Sequence, residues 1–333
     1  MILNNGSWAA GIIGTGSYVP ETVLKNSYFE ERLDTDDEWI VSRTGIKERR
    51  RVKPDIATSD IATYAALKAI EDAKLKPAEL DMIIVATVTP DMAFPSTACI
   101  VQKNIGAENA AALDISAACS GFIYGLSIAS QFIRSGSMKK ILLIGAETLS
   151  KITDYNDRNT CVLFGDGAGA AVISSVEEGF GILSTYMGSD GRGGDLLKLP
   201  AGGSRLPASE ETIANSLHFI KMDGSEVFKF AIKIMGQAAE KALSLCGMRK
   251  ENIDYLIPHQ ANIRIIESAT KRLKISKDKV FINVEKYGNM SAASVAVALD
   301  EANRTNKLNK GAIVVLVGFG GGLTWGSAVI KWS

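Results

Sequence analysis

The chemistry open to this chain is narrow. Its 333 residues hold four cysteines (Cys99, Cys119, Cys161, Cys246) and two histidines (His218, His259). The cysteines form no CxxC pair and no zinc pattern, so free thiols and no metal site are expected. Cys119 has the most suggestive setting. It lies in LDISAACSGFIYGL, residues 113–126, where a strand end runs through small residues into a helix beginning near the cysteine. A thiol at a helix N-terminus meets unpaired N–H groups and the positive end of the dipole. Both favour thiolate, so its pKa is expected to fall. Ala117, Ala118, Ser120 and Gly121 leave room for a substrate. A buried structural cysteine is the plain alternative, because most free cysteines pack as small hydrophobes.

Three other segments could complete a site. In IDYLIPHQANIRII, residues 253–266, a strand over Tyr255 to Ile257 is ended by Pro258. His259 then follows the strand, with a helix starting around Asn262, and can point into a site at the strand's C-terminal end. A hydrogen-bonded loop histidine is the competing possibility. In VEKYGNMSAASVAVAL, residues 284–299, Gly288-Asn289 is a turn before a small-residue helix that Ser291 could cap. Asn289 could equally be a left-handed turn residue. In VVLVGFGGGLTWGSAVI, residues 314–330, four glycines within Gly318–Gly322 join two strands. Such a loop turns tightly and can offer N–H groups to an oxygen anion. It is no nucleotide loop, since neither GK[ST] nor a helix follows. GDGAGA at 165–170 fails the same test.

These segments need elements to hold them. Residues 58–74 carry apolar residues at helical spacing with Thr58 or Ser59 as N-cap; 82–87 is a buried strand, 121–134 a helix and 140–145 another buried strand. The alternation predicts an α/β fold with buried sheets. The chain also repeats itself. AIEDAKL from Ala69 resembles ALSLCGM from Ala242, an offset of 242 − 69 = 173. ILLIG from Ile141 resembles VVLVG from Val314, again 314 − 141 = 173, and Gly11-Ile12-Ile13 resembles Gly181-Ile182-Leu183 at 181 − 11 = 170. So long a period means two copies of a domain, placed at 1–177 and 178–333. Corresponding loops of two packed copies would meet on one face.

Composition sets the outer limits. Apolar residues are 46% of the chain, and 37 basic residues balance 37 acidic ones. A zero net charge gives no reason to expect nucleic acid. The segment MILNNGSW has no basic stretch followed by a long apolar run, and no apolar run is long enough to span a membrane. A cytoplasmic, reducing setting without membrane insertion is expected.

Taken together, the segments resemble the thiolase superfamily, most closely the β-ketoacyl-acyl-carrier-protein synthase III family. The resemblance runs over nearly the whole chain. It is carried by IIGTGSYVPE (12–21), DDEWIVSRTGIKERR (36–50), AFPSTA (93–98), the Cys119 segment, NDRNTCVLFGDGAGAAV (156–172), IKMDGSEVFKFA (220–231), PHQANIRI (258–265), YGN (287–289) and GFGGGLTWG (318–326). It implies a duplicated thiolase-like fold in five layers, αβαβα, a homodimer, and a catalytic triad of Cys119, His259 and Asn289.

The implied reaction moves a short acyl group, with acetyl expected, from acyl-CoA to Cys119. Malonyl-acyl-carrier protein then loses CO2 and its carbanion attacks the acyl-enzyme, giving β-ketoacyl-acyl-carrier protein. This is the initiating condensation of type II fatty acid synthesis, and it needs no cofactor or metal. The tetrahedral intermediate of thioester exchange needs two N–H donors, which would be the backbone of Cys119 and Gly321; one such donor is typically worth ~3 kcal/mol. The resemblance also assigns CoA contacts to Trp39, Arg43, Arg158 and Asn262. It gives carrier-protein contacts to Gln260, Ala261, Asn262, Ile263 and Arg264, and Phe94 to the partner subunit's acyl pocket. Lys229 and Lys233, four apart on a predicted helix, could extend the basic patch.

Relatives differ at recognisable places. Elongating synthases of this fold use two histidines, whereas the second position here is Asn289, and His218 sits in a strand-like stretch suited to pairing or core. Thiolases use a late second cysteine, and none follows Cys246. A same-scaffold synthase of secondary metabolism, making a quinolone, polyketide or ester, would keep the triad and change the acyl pocket or acceptor. A non-enzymatic acyl-CoA-binding subunit would have lost a triad residue, and none is lost.

Overall fold

The computed structural model describes residues 9–333; the opening MILNNGSW, for which the sequence offers no match, lies outside them. Nine strands build two sheets. They are β1 (Ala9–Tyr18), β2 (Met82–Ala86), β3 (Ala111–Ile115), β4 (Lys140–Thr148), β5 (Asp166–Val176), β6 (Gly181–Ser189), β7 (Tyr255–Pro258), β8 (Ile313–Gly320) and β9 (Thr324–Lys331). The first sheet runs β1-β5-β4-β2-β3, with β2 parallel to both β3 and β4. The second runs β6-β9-β8-β7, the same order without a fifth strand. A single parallel bridge, Leu256 to Val280, stands where that strand would be. The division between sheets falls between Val176 and Gly181.

Seven longer helices complete the fold: α1 (Asp37–Thr44), α2 (Thr58–Asp72), α3 (Thr97–Ile105), α4 (Gly121–Arg134), α5 (Gly224–Leu245), α6 (Ile263–Leu273) and α7 (Ala292–Arg304). α2 and α3 cover the outer face of the first sheet, and α5 and α6 cover the outer face of the second. α4 and α7 lie between the sheets. Phe122, Ile123 and Leu126 from α4 and Val295 and Leu299 from α7 meet Ile84 and Leu143 on one side and Ile257 and Leu316 on the other. The layers therefore read αβαβα, as expected. Truncating Leu126, fully buried here, to Ala is expected to cost about 2–5 kcal/mol.

The small residues of α7 have a packing cause. A Cβ on Gly145 would sit 2.4 Å from the Ala292 carbonyl oxygen, and one on Gly169 would sit 2.6 Å from Ala296. The helix lies almost on the backbone of the first sheet, which only glycine beneath and alanine above permit. This close approach fixes the turn just before α7.

Two sequence expectations change in detail. The cap of α2 is neither Thr58 nor Ser59 but Ala57, whose N–H donates to the Asp60 carboxylate at 2.8 Å. The Thr58 hydroxyl is drawn off to the Thr89 carbonyl at 2.6 Å. Ser291 stands at the N-cap position of α7, as expected, but makes no side-chain bond there; the turn before it follows a short helical segment, Val284–Tyr287.

Candidate active site

Cys119 sits at the end of β3, on a single 3-10 turn, Ala118–Ser120, that leads into α4. Ala118 holds φ +46°, a left-handed position unusual for a residue with a Cβ. The turn is tied to the β8–β9 connection. Ser120 Oγ bonds the Ala117 carbonyl at 2.8 Å and meets Thr324 Oγ1 at 2.6 Å; Thr324 Oγ1 in turn lies 2.9 Å from the Ala117 carbonyl and 3.1 Å from that of Gly321. A Cβ on Gly320 would fall 2.5 Å from the Cys119 nitrogen, so β8 can end here only as glycine. Among the described residues, no backbone hydrogen bond uses the N–H of Cys119 or of Gly321.

The thiol does not behave as its sequence setting suggests. Burial pushes Cys119 up to about 12, and the nearby Glu147 carboxylate adds to that, outweighing a lowering contact from Ser291. The reason is local. The N–H groups of Ser120 and Gly121 are spent inside the 3-10 turn, on Ala117 and Ala118 carbonyls, so the helix end offers little to a bare sulfur. Excluding water then disfavours the charged form.

His259 follows β7 by one residue, with its N–H donated to the Val317 carbonyl at 2.7 Å. The ring is fully buried, stands edge-on to Phe319 at 5.7 Å, and leaves both nitrogens without a partner. Burial lowers it to about 3, so it rests as neutral imidazole. No protein group holds either ring nitrogen, so both are free to act on whatever enters the cavity that His259 lines.

Asn289 is held by its backbone between the Leu163 carbonyl and the Gly165 N–H, at 2.8 and 3.0 Å. Its Oδ1 accepts from the Ser291 N–H at 2.8 Å, which leaves the amide nitrogen as the free end. The left-handed residue of this turn is Gly288, at φ +64°, not Asn289. Cys119, His259 and Asn289 line one cavity of about 790 Å³, together with Phe319 and Gly320. A second cavity, of about 430 Å³, lies on the other side of Cys119, where Val88, Leu149, Ile152, Phe164 and Ile220 make an apolar wall and Gly321 and Ser291 border it.

The larger cavity opens past Trp39, Arg43 and Asn262. The Arg158 guanidinium lies over the Trp39 ring, 5.0 Å from its centroid, and donates to the Asp34 carbonyl at 2.6 Å. A flat ring entering between them must part them. Asn262 is already engaged, donating to the Arg43 carbonyl at 2.9 Å and capping α6 through the Arg264 N–H at 2.8 Å.

Two of the segment's expected carrier-protein contacts fail on burial. Gln260 is fully buried. Its Oε1 accepts from the N–H of Asn283 at 2.9 Å and of Val284 at 3.2 Å, and its Nε2 donates to the carbonyls of Pro258 and Phe281 at 2.7 and 3.2 Å. Gln260 is an internal brace, and Ala261 beside it is buried too. Asn262 and Ile263 are half-buried, and Arg264 is exposed over the Phe228 ring at 5.1 Å. Lys229 is paired with Glu226 at 2.7 Å. Phe94 is 84% exposed and lines neither cavity. His218 is in no strand; its Nε2 meets Thr212 Oγ1 at 2.9 Å, away from both cavities.

Comparison with known proteins settles the family. Residues 113–191 match the model of 3-oxoacyl-[acyl-carrier-protein] synthase III, and residues 243–332 match the model of its C-terminal region. The β-ketoacyl-[acyl-carrier-protein] synthase III of Caldanaerobacter subterraneus subsp. tengcongensis is 65% identical over 98% of both chains. The chain belongs to the β-ketoacyl-acyl-carrier-protein synthase III family. The Clostridioides difficile synthase III is 62% identical over 97% of this chain and 98% of its own. The synthase III structure from Aquifex aeolicus VF5 superposes with a TM-score of 0.90 at 47% identity, covering 97% of this chain and 100% of that one. As a synthase III, the protein is an acyltransferase and the initiating condensing enzyme of fatty acid synthesis, with acyl-CoA and acyl carrier protein as substrates. No helix among the described residues is long and apolar enough to cross a membrane.

The sequence gives no direct sign of Glu147, or of Ser291 as more than a cap, and it does not single out Gly320 within its glycine loop. A usable signal exists in the repeat. An offset of 173 sets Ser291 against Ala118 (291 − 118 = 173) and Gly320 against Glu147 (320 − 147 = 173).

Proposed function

We propose that Cys119, His259 and Asn289 form the reacting group of this synthase III, and that both half-reactions pass through the larger cavity. The observation that carries this is the convergence of the three side chains on one space, with both imidazole nitrogens unpartnered.

In the first half-reaction, the neutral imidazole takes the Cys119 proton as the sulfur attacks the acyl-CoA carbonyl. Thiol and imidazole both rest uncharged, so no ion pair has to be maintained at this buried position. The N–H groups of Cys119 and Gly321 stabilise the oxyanion. The intermediate collapses, CoA leaves as thiolate, and the imidazolium returns a proton to it. In the second half-reaction, the malonyl thioester loses CO2 and the bonding pair moves into an enolate. His259 and the Asn289 amide nitrogen donate to its oxygen. The carbanion attacks the acyl-Cys119 carbonyl and expels the thiolate, which takes up from solvent the one proton the overall reaction consumes. The chemistry needs no metal or redox cofactor, because loss of CO2 drives bond formation.

The smaller apolar cavity would receive the acyl chain, and a short primer, acetyl first, is the expected substrate. Trp39 and Arg158 would part to hold the CoA adenine, with Arg43 toward its phosphates and Asn262 along the pantetheine arm. Arg264 and its exposed neighbours would meet the acidic carrier protein. The exposed Phe94 supports a homodimer in which it closes the partner's acyl cavity. The two halves, 1–177 and 178–333, would be products of duplication, and the protein would work in the cytoplasm.

The test is reconstitution with acetyl-CoA and malonyl-acyl-carrier protein in the presence of a chelator. Acetoacetyl-carrier protein is the expected product. Acylation of Cys119 with turnover only on a different acceptor would replace this proposal with the secondary-metabolism alternative.

A further inference from the structure

Glu147 is the one ionisable side chain against the nucleophile that the reaction above does not use. It is the last residue but one of β4 and is fully buried. Its carboxylate accepts from Thr89 Oγ1 at 2.7 Å and Thr87 Oγ1 at 3.3 Å, and from the Val88 N–H at 3.2 Å to either oxygen. Ser291 and the Ala292 N–H face it from the start of α7. All of these are neutral. The charged groups of the surrounding elements are spent elsewhere. Asp166 on β5 is held by Ser150 and the Val52 N–H, and Asp114 on β3 by the N–H groups of Thr97 and Ala98. Asp60 and Lys68 on α2 bond Ala57 and the Ser17 carbonyl. Arg134 on α4 bonds the Ile182 carbonyl, and Asp300 on α7 pairs with Arg304.

Ser291 is the second observation. It holds φ +45°, is 3% exposed, and borders the smaller cavity beside Cys119. Its hydroxyl is buried and held by no hydrogen bond of ordinary geometry, and it lowers the pKa of both the Cys119 thiol and the Glu147 carboxyl. Nothing else among the described residues holds this hydroxyl.

We propose that Glu147 and Ser291 are a positioning pair that sets how readily Cys119 bears negative charge. With Glu147 protonated, its O–H donates to Ser291 Oγ and the serine proton turns to the sulfur. With Glu147 ionised, the serine proton turns to the carboxylate and the sulfur loses its donor while facing a like charge. Burial, which raises Glu147 to about 7, puts the exchange in the working range. The inference rests on Cys119 as the acylated nucleophile.

The test is the pH profile of Cys119 alkylation by iodoacetamide, which needs no acyl transfer, for wild type, Glu147→Gln, Ser291→Ala and the double variant. The amide that replaces the carboxyl cannot ionise. Glu147→Gln should match wild type below about pH 6 and exceed it by about tenfold near pH 9, one pKa unit of coupling. In the Ser291→Ala background, the Glu147→Gln effect should shrink to about twofold. A constant wild-type to Glu147→Gln ratio across the range would overturn the proposal. So would the full effect persisting without Ser291. Should Glu147→Gln fail to fold by circular dichroism, the wild-type profile should still bend near pH 7 by about tenfold and the Ser291→Ala profile by only about twofold; equal bends would overturn it. Failure of acetyl-CoA loading with normal alkylation profiles would instead count against the reaction proposed above.

Discussion

In the N-terminal half, the turn entering α4 holds Ala118 at φ +46°; in the C-terminal half, the turn entering α7 holds Ser291 at φ +45°. The two stand at the repeat's own spacing, 291 − 118 = 173. One backbone device thus serves two purposes. On the first turn the next residue is Cys119, the proposed nucleophile; on the second it is Ala292, and Asn289, the proposed donor, precedes the turn. The strand ends show the same divergence. Glu147, next to the end of β4, faces the start of α7, while Gly320, its counterpart on β8, lies against the nitrogen of Cys119. Each half's sheet supports the other half's turn. The two halves thus match in geometry at one seam, and single side chains there separate the proposed nucleophile from the proposed donors.

That division predicts separable losses. Cys119→Ala should lower acyl transfer from acyl-CoA by at least about 10^4-fold. Asn289→Ala should leave Cys119 loading within a few-fold and cut condensation by about 10^2–10^3-fold, one lost donor on the enolate. Steady-state rates with single-turnover loading check both. Equal loss of loading and condensation in Asn289→Ala would break the comparison.

Gly320→Ala tests the support across the seam. The added Cβ must displace the Cys119 nitrogen, and a shift of about 1 Å there should cost about 10^2-fold in loading. Thermal stability measured alongside separates displacement from unfolding.

Gln260 and Arg264 sharpen the difference between brace and surface. Gln260→Ala should lower stability by about 2–4 kcal/mol in urea unfolding, since it leaves several buried backbone groups unpaired. Arg264→Ala should raise KM for malonyl-carrier protein several-fold, more at low salt, with kcat and stability unchanged.

His259 makes the smallest prediction. The folded chain resists protonating it until about 3, against an ordinary value of 6.5. The unfolded chain protonates first, so this contribution is whole above about pH 6.5 and is lost as pH falls toward 3, by up to about 1.4 kcal/mol per unit. Unfolding curves at pH 7 and pH 5 should differ less for His259→Ala than for wild type.

Much of this was legible in the sequence because it rested on spacing. The 173-residue repeat foretold two alike sheets, and a strand followed by His259 or by the Cys119 turn could be read from local pattern. Burial could not. Gln260 looks like a polar contact beside Arg264, but it faces inward to close four backbone bonds. The Cys119 thiol looks activated by its helix, but the 3-10 turn consumes the N–H groups and packing excludes water. Both depend on what lies opposite, across more than 20 residues for Gln260 and across the seam for Cys119.

The most direct measurement is intact-protein mass spectrometry of wild type and Asn289→Ala, first with acetyl-CoA and then with malonyl-acyl-carrier protein. Both should gain one acetyl group on Cys119. The carrier protein should then clear it from wild type, with acetoacetyl-carrier protein appearing, and leave it on Asn289→Ala. Acetylation at any other residue, or equal clearance from both proteins, would contradict the assignment of nucleophile and donor to opposite halves.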